Sequence, residues 1–145
     1  MLGAMTTRQI DAAELKQLAE AAERAAPAAD CACRLRSAAG WESIAEERSP
    51  AALMERLGTL RDPSVDEPTF EEFHPRGTRY DSPDAPIAVN YFPFNRCDVF
   101  RCRQCGLLAL RYTEYGGYYV DHRVRRVRAD LCLPGEAASA LDGRQ

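Results

Sequence analysis

Residues 98–121 read DVFRCRQCGLLALRYTEYGGYYVD, and the reading of the whole chain starts there. Asp98–Cys102 has the length and composition of a strand. Cys102-Arg103-Gln104-Cys105-Gly106 then places two cysteines three positions apart, with a glycine directly after the second. Gly106–Thr113 alternates, with Leu108, Leu110 and Tyr112 on one face and Leu107, Ala109 and Arg111 on the other, so it predicts a strand. Glu114-Tyr115-Gly116-Gly117 is a turn and Tyr118–Asp121 the returning strand, which makes 106–121 a β-hairpin. A tight hairpin turn of type I′ or II′ demands a positive φ. At least one of Gly116 and Gly117 is therefore expected to have one.

The cysteine pair has a chemical meaning. Two thiolates at this spacing point at one ion if the backbone between them folds back, and a glycine after the second lets the chain take a positive φ there. A strand before and a hairpin after complete the setting. Over residues 98–120 this resembles the metal knuckle shared by zinc-ribbon and treble-clef folds. The specific part of the resemblance is the five residues 102–106, and it implies a kind of metal corner rather than one family. A structural zinc takes four ligands in a tetrahedron, and one knuckle supplies two. Cys31 and Cys33 form the other close pair, and two close pairs far apart in sequence can meet at one ion. The expectation is one Zn(2+) per chain held by Cys31, Cys33, Cys102 and Cys105; an all-thiolate tetrahedron also suits iron. Cys97 and His122 are the alternates. If 98–102 is a regular strand, Cys97 lies about 16 Å from Cys102 at ~3.3 Å per residue. His122 falls where a treble-clef helix would begin. Cys132 lies beside the C-terminal tail and is the weakest candidate of the six cysteines.

Working outward, a helix is expected from Thr7 or Asp11 to Ala26. Asp11-x-x-Glu14 has capping-box spacing. Leu15, Leu18, Ala22 and Ala25 form a narrow, half-alanine stripe suited to packing on the domain surface, and Pro27 ends the helix. A second helix is expected at Ser49–Leu57, with Ser49 as N-cap, Pro50 at the first position, Leu53, Met54 and Leu57 buried, and Gly58 as the stop. Residues 62–86 hold many Pro, Asp and Gly punctuators and form a long ordered loop that places Phe70, Phe73 and Tyr80 on the core. Ile87–Phe92 is a further strand candidate. Val124, Val127 and Leu131 recur at helical spacing and predict a short helix. Residues 1–6 and 134–145 are expected to be loose ends.

Length and composition frame this pattern. A chain of 145 residues predicts one domain that removes roughly 68–70% of its extended surface from water. Hydrophobic residues at 46% and charged residues at 28% exclude a disordered or collagen-like chain. No apolar run approaches the ~20 residues of a membrane span. The charged start carries no secretory signal, so a cytoplasmic setting follows. There, a cysteine content of six points to metal or redox chemistry rather than disulfides. Alanine dominates the first third, while eleven of the twelve aromatics lie between Phe70 and Tyr119. The fold class expected is α+β: N-terminal helices packed on a small antiparallel sheet with a zinc knuckle and a β-hairpin.

Net charge is −3, split between 14 acids and 8 bases over residues 1–74 and 8 acids and 11 bases over 75–145. The basic half interleaves Arg101, Arg103, Arg111, Arg123, Arg125 and Arg126 with Tyr112, Tyr115 and Tyr118. Arginine with aromatics can hold single-stranded nucleic acid, but the same arginines can pair with the acidic half, and the overall acidity runs against a nucleic-acid domain. No Gly-rich phosphate loop, His-Glu-x-x-His or Gly-x-Ser-x-Gly appears, and the two histidines, His74 and His122, stand apart. The function expected is therefore non-catalytic: a zinc-binding module that engages a protein partner. A nucleic-acid-binding regulator is the alternative, and a zinc or thiol enzyme the third reading.

Overall fold

A computed structural model of the chain describes residues 8–25, 31, 38–43 and 53–133. One helix and a five-stranded antiparallel sheet organise these residues, an α+β arrangement in which sheet predominates. Helix α1 spans Ala12–Arg24. The strands are β1 (Glu42–Ser43), β2 (Met54–Thr59), β3 (Ile87–Ala88), β4 (Asp98–Cys102), β5 (Leu108–Tyr115), β6 (Val120–Arg126) and β7 (Cys132–Leu133). The main sheet runs β1-β6-β5-β4-β2, and β3 pairs with β7 in a separate parallel pair.

Helix α1 begins where its cap dictates. Asp11 is extended, and its carboxylate accepts a hydrogen bond from the Glu14 N–H at 2.8 Å. That bond satisfies one of the first-turn donors that no helical carbonyl can reach. Leu15 and Ala19 are buried and Leu18 and Ala22 pack partly against the core, whereas Ala25 is exposed. The buried stripe thus turns through Ala19, and the helix lies against β5, β7 and the turn before β7. Ala26 and Pro27, where the sequence ends the helix, lie outside the described residues, as do residues 1–6 and the tail 134–145.

Strand β5 is central, and its two faces divide as its alternation predicts. Leu108, Leu110 and Tyr112 join the main core with Ile10, Leu15, Ile87 and Val99. Leu107 and Ala109 face the other way, into a smaller cluster built around Cys102 and Cys105. Trp41 anchors the aromatic end of the main core, edge-on to Tyr112 at 5.0 Å and stacked with Tyr80 at 6.1 Å. The 62–86 loop sends Tyr80 to this core and Phe73 into a satellite cluster. Phe70 is 72% exposed and instead covers Phe92 and the guanidinium of Arg96.

Three expectations are corrected. Of the helix drawn at Ser49–Leu57, Met54 to Leu57 lie in strand β2. Its antiparallel register with β4 runs from Met54↔Cys102 to Thr59↔Asp98, with an irregularity between Arg56 and Gly58. Gly58 does not stop a helix here. It admits the Arg8 carbonyl, which would lie 2.4 Å from a Cβ at this position, while Thr59 N donates to that same carbonyl. Pairing with β4 along the strand, and with Gln9 at Thr59, outweighs the local helix signals; Ser49 and Pro50 lie outside the described residues. Second, the helix drawn through Val124, Val127 and Leu131 is β6 followed by a 3₁₀ turn at Ala129–Leu131. Spacing of three puts Val124 on the cysteine side and Val127 in the main core. Third, Ile87–Phe92 is a strand only at Ile87–Ala88.

The hairpin forms, but without the expected turn. Tyr115 pairs with Val120, and Gly116 N donates to the Tyr119 carbonyl at 2.8 Å. Neither Gly116 nor Gly117 has a positive φ; among the described glycines, Gly77 and Gly106 do. At Gly116 a Cβ would lie 2.0 Å from the Tyr119 ring, so the ring's approach accounts for that glycine.

Candidate metal centre

The turn after β4 folds back as two cysteines three positions apart require. Gly106 N donates to the Cys102 carbonyl at 2.9 Å and Cys102 N to the Leu107 carbonyl at 2.9 Å, which closes the loop. Gly106 has φ +84°, as expected of the residue that lets the chain turn after the second sulfur. The backbone N–H groups of Gln104 and Cys105 both point at Cys102 Sγ, each at 3.4 Å. Such donors stabilise negative charge on a sulfur. Arg103 N donates to the Leu53 carbonyl at 2.6 Å and ties the turn to the start of β2.

Cys31 meets this turn from 71 residues away. Its Sγ lies 3.6 Å from Cys102 Sγ, and the sulfurs of Cys31, Cys102 and Cys105 all lie within 4.8 Å of one another. A disulfide has its sulfurs about 2.05 Å apart, and all three cysteines are free thiols. Sulfurs around a tetrahedral zinc, each ~2.3 Å from it, stand about 3.8 Å apart. The Cys31–Cys102 separation matches that spacing, and the cluster could supply three corners of a thiolate site. Cys102 and Cys105 are buried and Cys31 half-buried, with Leu107, Ala109, Leu53, Met54 and Val124 packed around them. Gln104, which the sequence offered no reason to single out, accepts a hydrogen bond from Cys31 Sγ at 3.3 Å through its Oε1. Cys33, the fourth residue of the expected set, lies outside the described residues.

The alternates lie elsewhere. Cys97 is fully buried in the main core, where its thiol donates to the Pro93 carbonyl at 3.2 Å. Burial, with a smaller contribution from the Asp98 charge, raises its pKa well above the ordinary thiol value. His122 sits within β6 opposite Thr113, whose hydroxyl lies 3.2 Å from Nδ1; it does not begin a helix. Cys132 is no loose-tail residue. It pairs with Ile87 in the parallel ladder, is 3% exposed, and burial pushes its pKa up to about 12. Both core thiols therefore stay protonated near neutral pH and lack the thiolate form that binds metal or attacks.

The basic face is largely paired within the molecule. Arg101 bonds Glu55 at 3.1 Å, and Arg123 pairs with Glu114 and Asp121 at 3.1 and 2.8 Å. Arg125 is fully buried, while Arg111 and Arg126 are half-buried on β5 and β6 and Arg103 is exposed on the cysteine turn. Tyr112 is buried with its hydroxyl on that of Tyr80. Tyr115 and Tyr118, with Tyr119 and Val120, form an exposed apolar hairpin tip. His74 is spent on Glu72 at 2.6 Å and Thr78 at 3.2 Å.

The turn geometry makes a prediction. Gly106→Val forces a β-branched residue into the left-handed region at a cost of about 1–2 kcal/mol, although nothing lies within 4 Å of the added Cβ. Gly117→Val meets equally open space without the φ penalty. Thermal melting should therefore separate the two variants by ~2–8 °C, with Gly106→Val the lower. No family model, curated protein or solved structure matches the chain.

Proposed function

We propose that this chain is a zinc-binding protein whose metal is structural and which works without catalysing a reaction, as a binding module for a protein partner. The carrying observation is the meeting of Cys31, Cys102 and Cys105 sulfurs within 4.8 Å across 71 residues of sequence. An all-sulfur donor set is soft and selects zinc or iron over calcium and magnesium. Cys33, two positions from Cys31, supplies the fourth thiolate and closes the tetrahedron, leaving no place for a reactive water. The metal then ties Cys31, which follows α1 in sequence, to the β4–β5 turn, a knuckle of the zinc-ribbon kind.

The partner face is the hairpin tip. Tyr115, Tyr118, Tyr119 and Val120 are 54–103% exposed at one end of the sheet, and clustered exposed aromatics favour protein contact. Arginines committed to Glu55, Glu114 and Asp121 have less to offer phosphates, which sets the nucleic-acid reading second.

Cobalt substitution tests the closed site. Co(2+) at one equivalent should give thiolate-to-metal charge-transfer bands that added azide leaves unchanged. A spectrum that shifts with azide would reveal an open coordination position and favour the enzyme reading. Mixed single-stranded oligonucleotides should show no salt-dependent binding; a steep salt dependence would move the tip to nucleic acid.

A further inference from the structure

Arg125 is 0% exposed, and its place on β6 puts its guanidinium inside the main core. One of its nitrogens, Nη2, donates to the Ala85 carbonyl, while Nη1 and Nε have no partner among the described residues. The guanidinium carbon lies 5.6 Å from the Phe94 ring centre. Trp41, 7% exposed, has its indole Nε1–H buried and, among the described residues, without a partner as well. Both side chains line one small cavity with room for about 10 Å³, the size of a single water-sized sphere. Buried donors without acceptors are rare, and a buried charge is costly unless compensated.

We propose that this cavity is a site for one small inorganic anion of the halide class, held by the Arg125 guanidinium and the Trp41 indole N–H. The unpartnered groups are all donors, one side chain carries a full positive charge, and the space is far too small for a sulfate or a carboxylate. Burial lowers the Arg125 pKa only to about 10, so it remains charged at neutral pH. Among the described residues, none forms an ion pair with the Arg125 guanidinium. Cys97 and Cys132 are held as neutral thiols by burial. Tyr80 borders the cavity, and burial raises its pKa, so it is neutral too. Glu72 also borders the cavity, but its carboxylate is bonded to His74. Asp84 raises and Arg128 lowers the Arg125 pKa, each by less than burial does.

Trp41 is the sole tryptophan, so its fluorescence reports on the cavity directly. The metal-loaded chain is titrated with sodium bromide replacing sodium gluconate at constant ionic strength. Saturable quenching is expected, competed by chloride and lost in Arg125→Met. The melting temperature should also rise with chloride in place of gluconate and level off as the site fills. If Arg125→Met fails to fold, Trp41→Phe provides the second variant, and its melting temperature should lose most of the chloride dependence. Quenching that is linear and equal in wild type and Arg125→Met, or melting indifferent to halide, would mean the cavity holds water and would overturn the proposal. Halide dependence appearing only in Glu72→Gln would assign the counter-charge to Glu72 and overturn it equally.

Discussion

Serine at Cys31, Cys102 or Cys105 should strip the metal from the protein and lower its melting temperature, whereas Cys97→Ser and Cys132→Ser should keep it. The first three sulfurs lie within 4.8 Å of one another, and the last two belong to the main core. Losing one thiolate leaves an incomplete tetrahedron with a water in the fourth place, which weakens affinity well beyond the 10–100-fold seen when an outer-shell partner is lost. A ligand present at 1,000 times its dissociation constant stabilises by about 4 kcal/mol, or ~8–16 °C for a chain of this size. The dependence should be partial, because the main core exists without the metal. Cys132→Ser and Cys97→Ser bury a hydroxyl where a thiol fitted, costing about 1–3 kcal/mol, yet metal content should stay unchanged. Metal analysis and thermal melting on the five variants together separate ligand from bystander. Metal retained in Cys31→Ser but lost in Cys97→Ser would sink the ligand set.

Leu110→Ala should produce the largest effect unrelated to metal. Leu110 is 0% exposed in the central strand, opposite Val99 on one side and Arg125 on the other. Strands on both flanks leave the site little freedom to collapse around the missing atoms. A loss of about 2–5 kcal/mol is expected from transfer and cavity together, most directly read by chemical denaturation. Tyr118→Ala, at a position wholly in solvent, should change stability by less than about 0.5 kcal/mol. Both variants should retain one metal per chain. Equal destabilisation by the two would mean that β5 is not the centre of the sheet.

Strand β4, the two faces of β5 and the Asp11 cap were legible because each is set by neighbours in sequence: alternation, a cap three residues from its donor, a glycine after a cysteine. The partnership of Cys31 with Cys102 was legible only through coordination chemistry, since no local pattern links residues 71 apart. Strand β2 and the end of β6 were not legible. Ser49-Pro50 and Gly58 carry helix signals, and Val124, Val127 and Leu131 recur at helical spacing, but long-range pairing decides both segments. At Gly58 the deciding contact is the Arg8 carbonyl, which lies fifty positions away in sequence. Nor does anything near Arg125 in sequence announce that one arginine of a basic run is buried whole while Arg123, two positions before it, pairs with Glu114 and Asp121 at the surface.

Elemental analysis of the protein, purified without chelator, bears most directly on the central claim. Four thiolates from Cys31, Cys33, Cys102 and Cys105 at one closed site predict about one zinc per chain, removed only by a strong chelator and with a fall in melting temperature. A chain that carries no metal, and melts at the same temperature with and without added zinc, would contradict the account.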